Sequence, residues 1–143
     1  KWKNNNIFPF YKNISGSYVS NKRLKHAKKI VLLILDEEKN KIENAFKILA
    51  KKRYNNKTIL IKFDFKSSIE RVKNTVLSNQ SDELYGESDG TKIWICKNKL
   101  SDQDLVGTIL HESLHYICTF NNKDLCEKDE HYVMKLLGEE HEC

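Results

Sequence analysis

Proline is almost missing from this 143-residue chain, which has one (Pro9), and glycine is scarce at five. That leaves no Pro- or Gly-rich linker and no internal repeat, so the chain reads as one domain with a single sizeable core. Long apolar runs are lacking too. The longest, Ile30 to Leu35, falls far short of the roughly 20 residues that a membrane-spanning helix needs, and no membrane association is expected. The four cysteines, Cys96, Cys118, Cys126 and Cys143, show no C-x-x-C spacing, which argues against a structural zinc ribbon. Cys118 and Cys126 would suit a disulfide in an oxidising compartment, but reduced, buried thiols are the simpler expectation. No secretory signal pattern is visible at the N-terminus, which tilts the expectation toward an intracellular setting.

What is present is charge. Charged residues make up 31% of the chain against 39% hydrophobic, with a net charge of +5. The basic excess is scattered, apart from Lys22-Arg23-Leu24-Lys25-His26-Ala27-Lys28-Lys29. That cluster offers a contact for nucleic acid or an acidic partner, although a solvated segment in front of a strand is the expected account.

The chemistry concentrates at His111-Glu112-Ser113-Leu114-His115, an H-E-x-x-H. Two histidines four apart on a helix project from one face, one turn apart, and both imidazoles reach one metal ion. Glu112 lies beside them, placed to take a proton from water at the metal. Such a motif arises by chance in roughly one or two of a hundred chains of this composition, as a helix with merely solvated histidines, so its surroundings decide. Leu105, Val106, Ile109, Leu110, Leu114 and Ile117 follow helical spacing and mark a buried stripe. Ser101 reads as the N-cap, with Asp102 and Asp104 in the first turn, and Asn121-Asn122 as the stop.

A catalytic zinc site has three protein ligands and an open position. The extended form H-E-x-x-H-x-x-G-x-x-H is excluded, because Cys118 and Asn121 stand where Gly and His would be required. Cys126, Glu127, Glu130, His131 and His141 remain. A second helix is expected from about Glu127 to Glu140, with Val133, Met134, Leu136 and Leu137 as its apolar side. Glu130 lies three before Val133, four before Met134 and seven before Leu137, so it shares the inward face and is the preferred third ligand. Glu127 is the alternative, more simply read as an acid in the first turn. His131 stands beside the proposed ligand as a candidate oxyanion stabiliser, and His141 reads as a surface residue. Tyr116 and Tyr132 have donor hydroxyls, but aromatic residues at helical spacing usually belong to a core.

Along the rest of the chain, residues 1–28 show no clear period and read as an irregular arm, leaving 29–143 as the domain proper. Lys29 to Leu35 is a continuous apolar run, read as a buried strand or as extra turns of the helix that follows. Asp36 to Tyr54 is predicted helical, and Thr58 to Phe65 a strand. This order implies a right-handed crossover with parallel strands. Residues 66–80 hint at a helical turn through Ile69, Val72, Val76 and Leu77. Gly86 to Gly90 reads as a polar turn, and Thr91 to Cys96 as a strand directly before the motif helix.

The fold class is therefore α+β. The order of elements, with Leu110-His111-Glu112-Ser113-Leu114-His115-Tyr116 and then Asp129-Glu130-His131-Tyr132-Val133, resembles the minimal zincin catalytic domain. More narrowly, it resembles the small gluzincin-type peptidases, whose third ligand is a glutamate on the next helix. Fourteen residues separate His115 from Glu130, fewer than in larger members of that group. The resemblance implies a small mixed sheet, a Zn2+ held by His111, His115 and Glu130, and peptide or protein substrates cleaved with Glu112 as general base. It also implies that Lys92 to Cys96 forms the sheet edge that pairs with an extended peptide. Two other readings share these residues: a zincin fold retained purely as a binding module, and a nucleic-acid-associated protease recruited through residues 22–29.

Overall fold

Leu24, Ala27, Val31, Ile34 and Leu35 are all buried and recur at the spacing of one helical stripe, so the lysine-rich cluster and the apolar run after it form a single helix. The computed structural model describes residues 17–54, 60–78, 86–89, 91–96, 99–120, 123–124 and Val133. Its elements run β1 (Ser17–Tyr18), α1 (Asn21–Glu37), α2 (Lys39–Tyr54), β2 (Ile61–Phe63), α3 (Phe65–Lys73), β3 (Val76–Leu77), β4 (Gly86–Ser88), β5 (Ile93–Ile95), β6 (Lys99–Leu100), α4 (Asp102–Leu114), β7 (Cys118–Phe120) and β8 (Lys123–Asp124). This is a small α+β domain, with four helices among the described residues.

Helix α1 overturns two expectations. Residues 29–35 are helical rather than a strand, and 21–28 are helical rather than irregular. A six-residue apolar window has no period of its own, and the stripe shows only when the charged residues before it are included. Ser20 caps the helix, its side chain accepting from the Arg23 amide at 3.2 Å. Glu38 separates α1 from α2, so the run is not an extension of the second helix. With residues 29–35 helical, no strand there leads into α2 to lie parallel to β2, and the expected crossover is absent. α2 itself matches its prediction closely, and Ile42, Ala45, Phe46 and Ala50 are its buried face.

The described strands form three small sheets. β2 pairs antiparallel with β7, which pairs antiparallel with β8. β1 pairs antiparallel with β6. The third sheet is mixed, in the order β3-β5-β4, with β3 parallel and β4 antiparallel to β5. Gly86 to Gly90 was expected to be a turn, yet Gly86–Ser88 is strand β4. The reversal comes later, where the Asp89 carboxylate accepts from the Thr91 and Lys92 amides at 2.7 and 2.8 Å. Gly86 is required for packing. A Cβ there would lie 2.8 Å from Thr108 Cγ2 and 3.1 Å from the Trp94 carbonyl oxygen, so β4 rests directly on α4.

Helix α4 lies at the centre, with Leu105, Val106, Ile109, Leu110 and Leu114 fully buried. Burying each of these contributes about 2 kcal/mol, which seats α4 firmly in the core. Arg23 ties its start to α1. Its guanidinium reaches Asp102 Oδ1 at 2.7 Å, the Leu100 carbonyl at 2.6 Å and the Tyr18 carbonyl at 3.1 Å. Lys28 donates to the Lys73 and Thr75 carbonyls at 2.6 and 3.3 Å, and burial pushes its ammonium below the ordinary lysine value. Two members of the basic cluster therefore hold the fold together. No helix among the described residues is long and apolar enough to cross a membrane.

Candidate metal centre

Helix α4 starts as its sequence predicts, with the Ser101 hydroxyl accepting from the Asp104 amide at 3.1 Å. It ends earlier than expected, at Leu114 rather than near Asn121, a residue that lies outside the described set. His111 and Glu112 sit in the last turn, and His115 is the C-cap, with φ −58° and ψ 137°. That φ is helical, so the His115 Cβ keeps its helical direction while the chain beyond it turns away. The two imidazoles stay together, their ring centroids 5.2 Å apart.

Glu112 joins them. One ligand-capable atom from each of His111, Glu112 and His115 falls within 4.8 Å of the others, and all three side chains are partly buried. Glu112 Oε2 lies 3.9 Å from His115 Nε2. The same oxygen accepts a hydrogen bond from Ser88 Oγ at 2.7 Å, donated from β4 across the top of the helix. The donor set fits a divalent transition metal: two imidazole nitrogens one helical turn apart, converging on one point, with a carboxylate alongside. These three residues are a group able to bind a metal ion.

The chain leaves α4 sharply. Tyr116 has φ 65°, in the left-handed region where a residue with a bulky side chain is strained. Its ring lies 6.3 Å from that of His115 and is 41% exposed, not part of a core. Behind this turn sits Arg71 of α3, 2% exposed. Its Nη2 donates to the His115 carbonyl at 2.6 Å, the Ser113 carbonyl at 3.2 Å and Ser68 Oγ at 2.7 Å. Burial pushes this guanidinium below its ordinary value, opposed mainly by the charge of Asp64.

No family model matches the chain, and no curated protein or solved structure matches it.

Of the residues singled out in the sequence, His111, Glu112 and His115 are brought together. Glu130, Glu127, His131, His141, Cys126 and Tyr132 lie outside the described residues; Val133 alone, beyond Asp124, is described, and it is fully buried. Cys96 and Cys118 are buried. One expectation is overturned. The strand at 92–96 is not a sheet edge, because β5 has β3 on one side and β4 on the other, leaving its backbone no side for a peptide. Among the described residues, the outer strand beside α4 is β4. Sequence reasoning missed Ser88 and Arg71. Ser88 lies in a short polar stretch without period, and an arginine next to Val72 gives no sign of burial until the fold is known.

Proposed function

We propose that this chain is a zinc-dependent peptidase of the zincin type, hydrolysing peptide bonds in peptides or proteins. The observation that carries the reading is the convergence of His111, Glu112 and His115 within 4.8 Å, with the carboxylate fixed by Ser88 at 2.7 Å. His111 and His115 would hold the metal. Glu130, three residues before buried Val133, is the preferred third ligand, with Glu127 the alternative. When bound, the metal supplies Lewis-acid polarisation and acidifies water at the site.

The protein residues divide the remaining work. Glu112 takes the proton of the attacking water and delivers it to the leaving amine nitrogen. Ser88 donates to Glu112 Oε2 at 2.7 Å and so restricts the orientation of the carboxylate beside the two imidazoles. His131 is the candidate for steadying the developing oxyanion. An extended substrate would lie along the outer side of β4, which carries Ser88 and rests on the motif helix. A role recruited by nucleic acid has less support, since Arg23 and Lys28 of the basic cluster are engaged within the fold.

Elemental analysis of the purified protein together with cleavage of a peptide pool tests the reading. About one zinc per chain is expected, with turnover abolished by a chelator and by Glu112→Gln. Bound zinc without turnover of any peptide in the pool would overturn the peptidase and leave a metal-dependent binding module.

A further inference from the structure

We propose that Arg71 is a positioning residue for His115, so that metal affinity is set in part from α3 and not by the motif helix alone. This inference rests on the metal-centre reading above and concerns a residue far from the motif in sequence. In a continuous helix the second histidine of an H-E-x-x-H is held by the hydrogen bonds of the turns on either side. Here it is the last residue before the helix breaks. Carbonyls at a helix end have no partner within the helix, and such ends fray.

The usual remedy is a glycine in the left-handed conformation just past the end. This chain instead has Tyr116 at φ 65°, a conformation that strains a non-glycine residue. Something must hold that turn. Arg71 Nη2 reaches the His115 carbonyl at 2.6 Å and the Ser113 carbonyl at 3.2 Å. Ser68 Oγ donates to the Ser113 carbonyl at 2.8 Å and accepts from Arg71 at 2.7 Å. The guanidinium carbon lies 5.5 Å from the centre of the Tyr116 ring. One side chain thus grips the residue before His115's neighbour, His115 itself and the residue after it.

Burial makes a purely space-filling role a poor explanation. Arg71 is 2% exposed, and its Nε is buried with no hydrogen-bond partner among the described residues. Desolvating a cation is costly, and an apolar side chain of similar volume would fill the space without that penalty. The negative end of the α4 dipole and the two carbonyls offset part of the cost at the C-terminus of the motif helix, and the charge of Asp64 offsets more of it. Asp64, which faces the same guanidinium electrostatically, fixes the other end of α3. Its own amide donates to the Ile117 carbonyl at 2.8 Å. The segment 115–117 is therefore clamped from both ends of one short helix.

The test compares wild type with Arg71→Lys, Arg71→Met and Ser68→Ala. Three readouts are needed: zinc Kd by competition with a chromophoric chelator, the visible absorption of the cobalt(II)-loaded protein, and thermal unfolding of the metal-free protein. The expected result is a zinc Kd raised about tenfold or more in Arg71→Lys while the protein remains folded. A smaller rise is expected in Ser68→Ala, with altered cobalt bands in both. If Arg71→Met fails to fold, the other two variants decide. Unchanged Kd and cobalt spectra in folded Arg71→Lys and Ser68→Ala, with only the unfolding temperature lowered, would overturn the proposal and leave the metal centre standing. Wild type binding neither zinc nor cobalt would overturn both.

Discussion

Glu112 is held by a residue that shares no element with it, and that contact makes two substitutions informative. Glu112→Gln keeps the two imidazoles and nearly the same volume but has no proton-accepting carboxylate. Hydrolysis should fall by about 10²- to 10⁴-fold while zinc stoichiometry stays at its wild-type value, measured by elemental analysis beside steady-state kinetics. Ser88→Ala removes the hydrogen bond at 2.7 Å and frees the carboxylate to rotate. A loss of about tenfold in kcat is expected, from a charge-assisted bond worth on the order of 1.5 kcal/mol, with bound zinc unchanged and partial recovery in Ser88→Thr. Equal kcat in wild type and Ser88→Ala would remove Ser88 from the mechanism. The three motif residues were legible because a helix turns a four-residue spacing into proximity. Ser88 and Arg71 were not, because their proximity to the motif is created by chain reversals that no local pattern encodes.

Among the elements, α3 repays scrutiny because it carries Arg71. Its N-cap is Asp64, whose carboxylate accepts from the Ser67 hydroxyl at 2.7 Å and the Ser67 amide at 3.0 Å. These bonds hold the Asp64 carboxyl below the ordinary aspartate range, the hydroxyl contributing most. A depressed carboxyl stabilises the folded state fully above its unfolded pKa of about 3.9, and the contribution is lost as pH falls through the lower folded value. Asp64→Asn can still cap but carries no charge. The stability gap between it and wild type should therefore be present at pH 6 and shrink below about pH 4, as read from thermal unfolding of the metal-free proteins. A gap independent of pH would assign the cap no charge dependence. Elements were legible in proportion to their periodicity. α4 announced itself with a cap and a stripe, and α2 with a stripe. β5 was found through Ile93-Trp94-Ile95, with its burial alternating as a strand requires. β4 was missed because Gly-Glu-Ser has neither an apolar alternation nor length. α1 was misread because its stripe begins among lysines.

For the molecule as a whole, the sequence supported an α+β domain but not its connectivity. Pairing of β2 with β7 joins residues 61–63 to 118–120, and such long-range register leaves no local trace. A metal bound only by the folded chain stabilises it by mass action, by about 2.7 kcal/mol at a free concentration 100 times Kd. Zinc should therefore raise the unfolding temperature of the wild type and a chelator should reverse the rise, whereas His111→Ala should abolish the response. An equal rise in His111→Ala would place the stabilising ion elsewhere. The approach of β4 to α4 has a further consequence. Thr108 cannot easily swing aside, since its hydroxyl is tied to the Asp104 carbonyl at 2.7 Å, and the Trp94 carbonyl closes the other side of Gly86. The gap between strand and helix is thus gauged by a hydrogen atom. One carbon added at residue 86 would lift the strand, carry Ser88 away from the carboxylate it orients, and register as a change in chemistry as well as in packing.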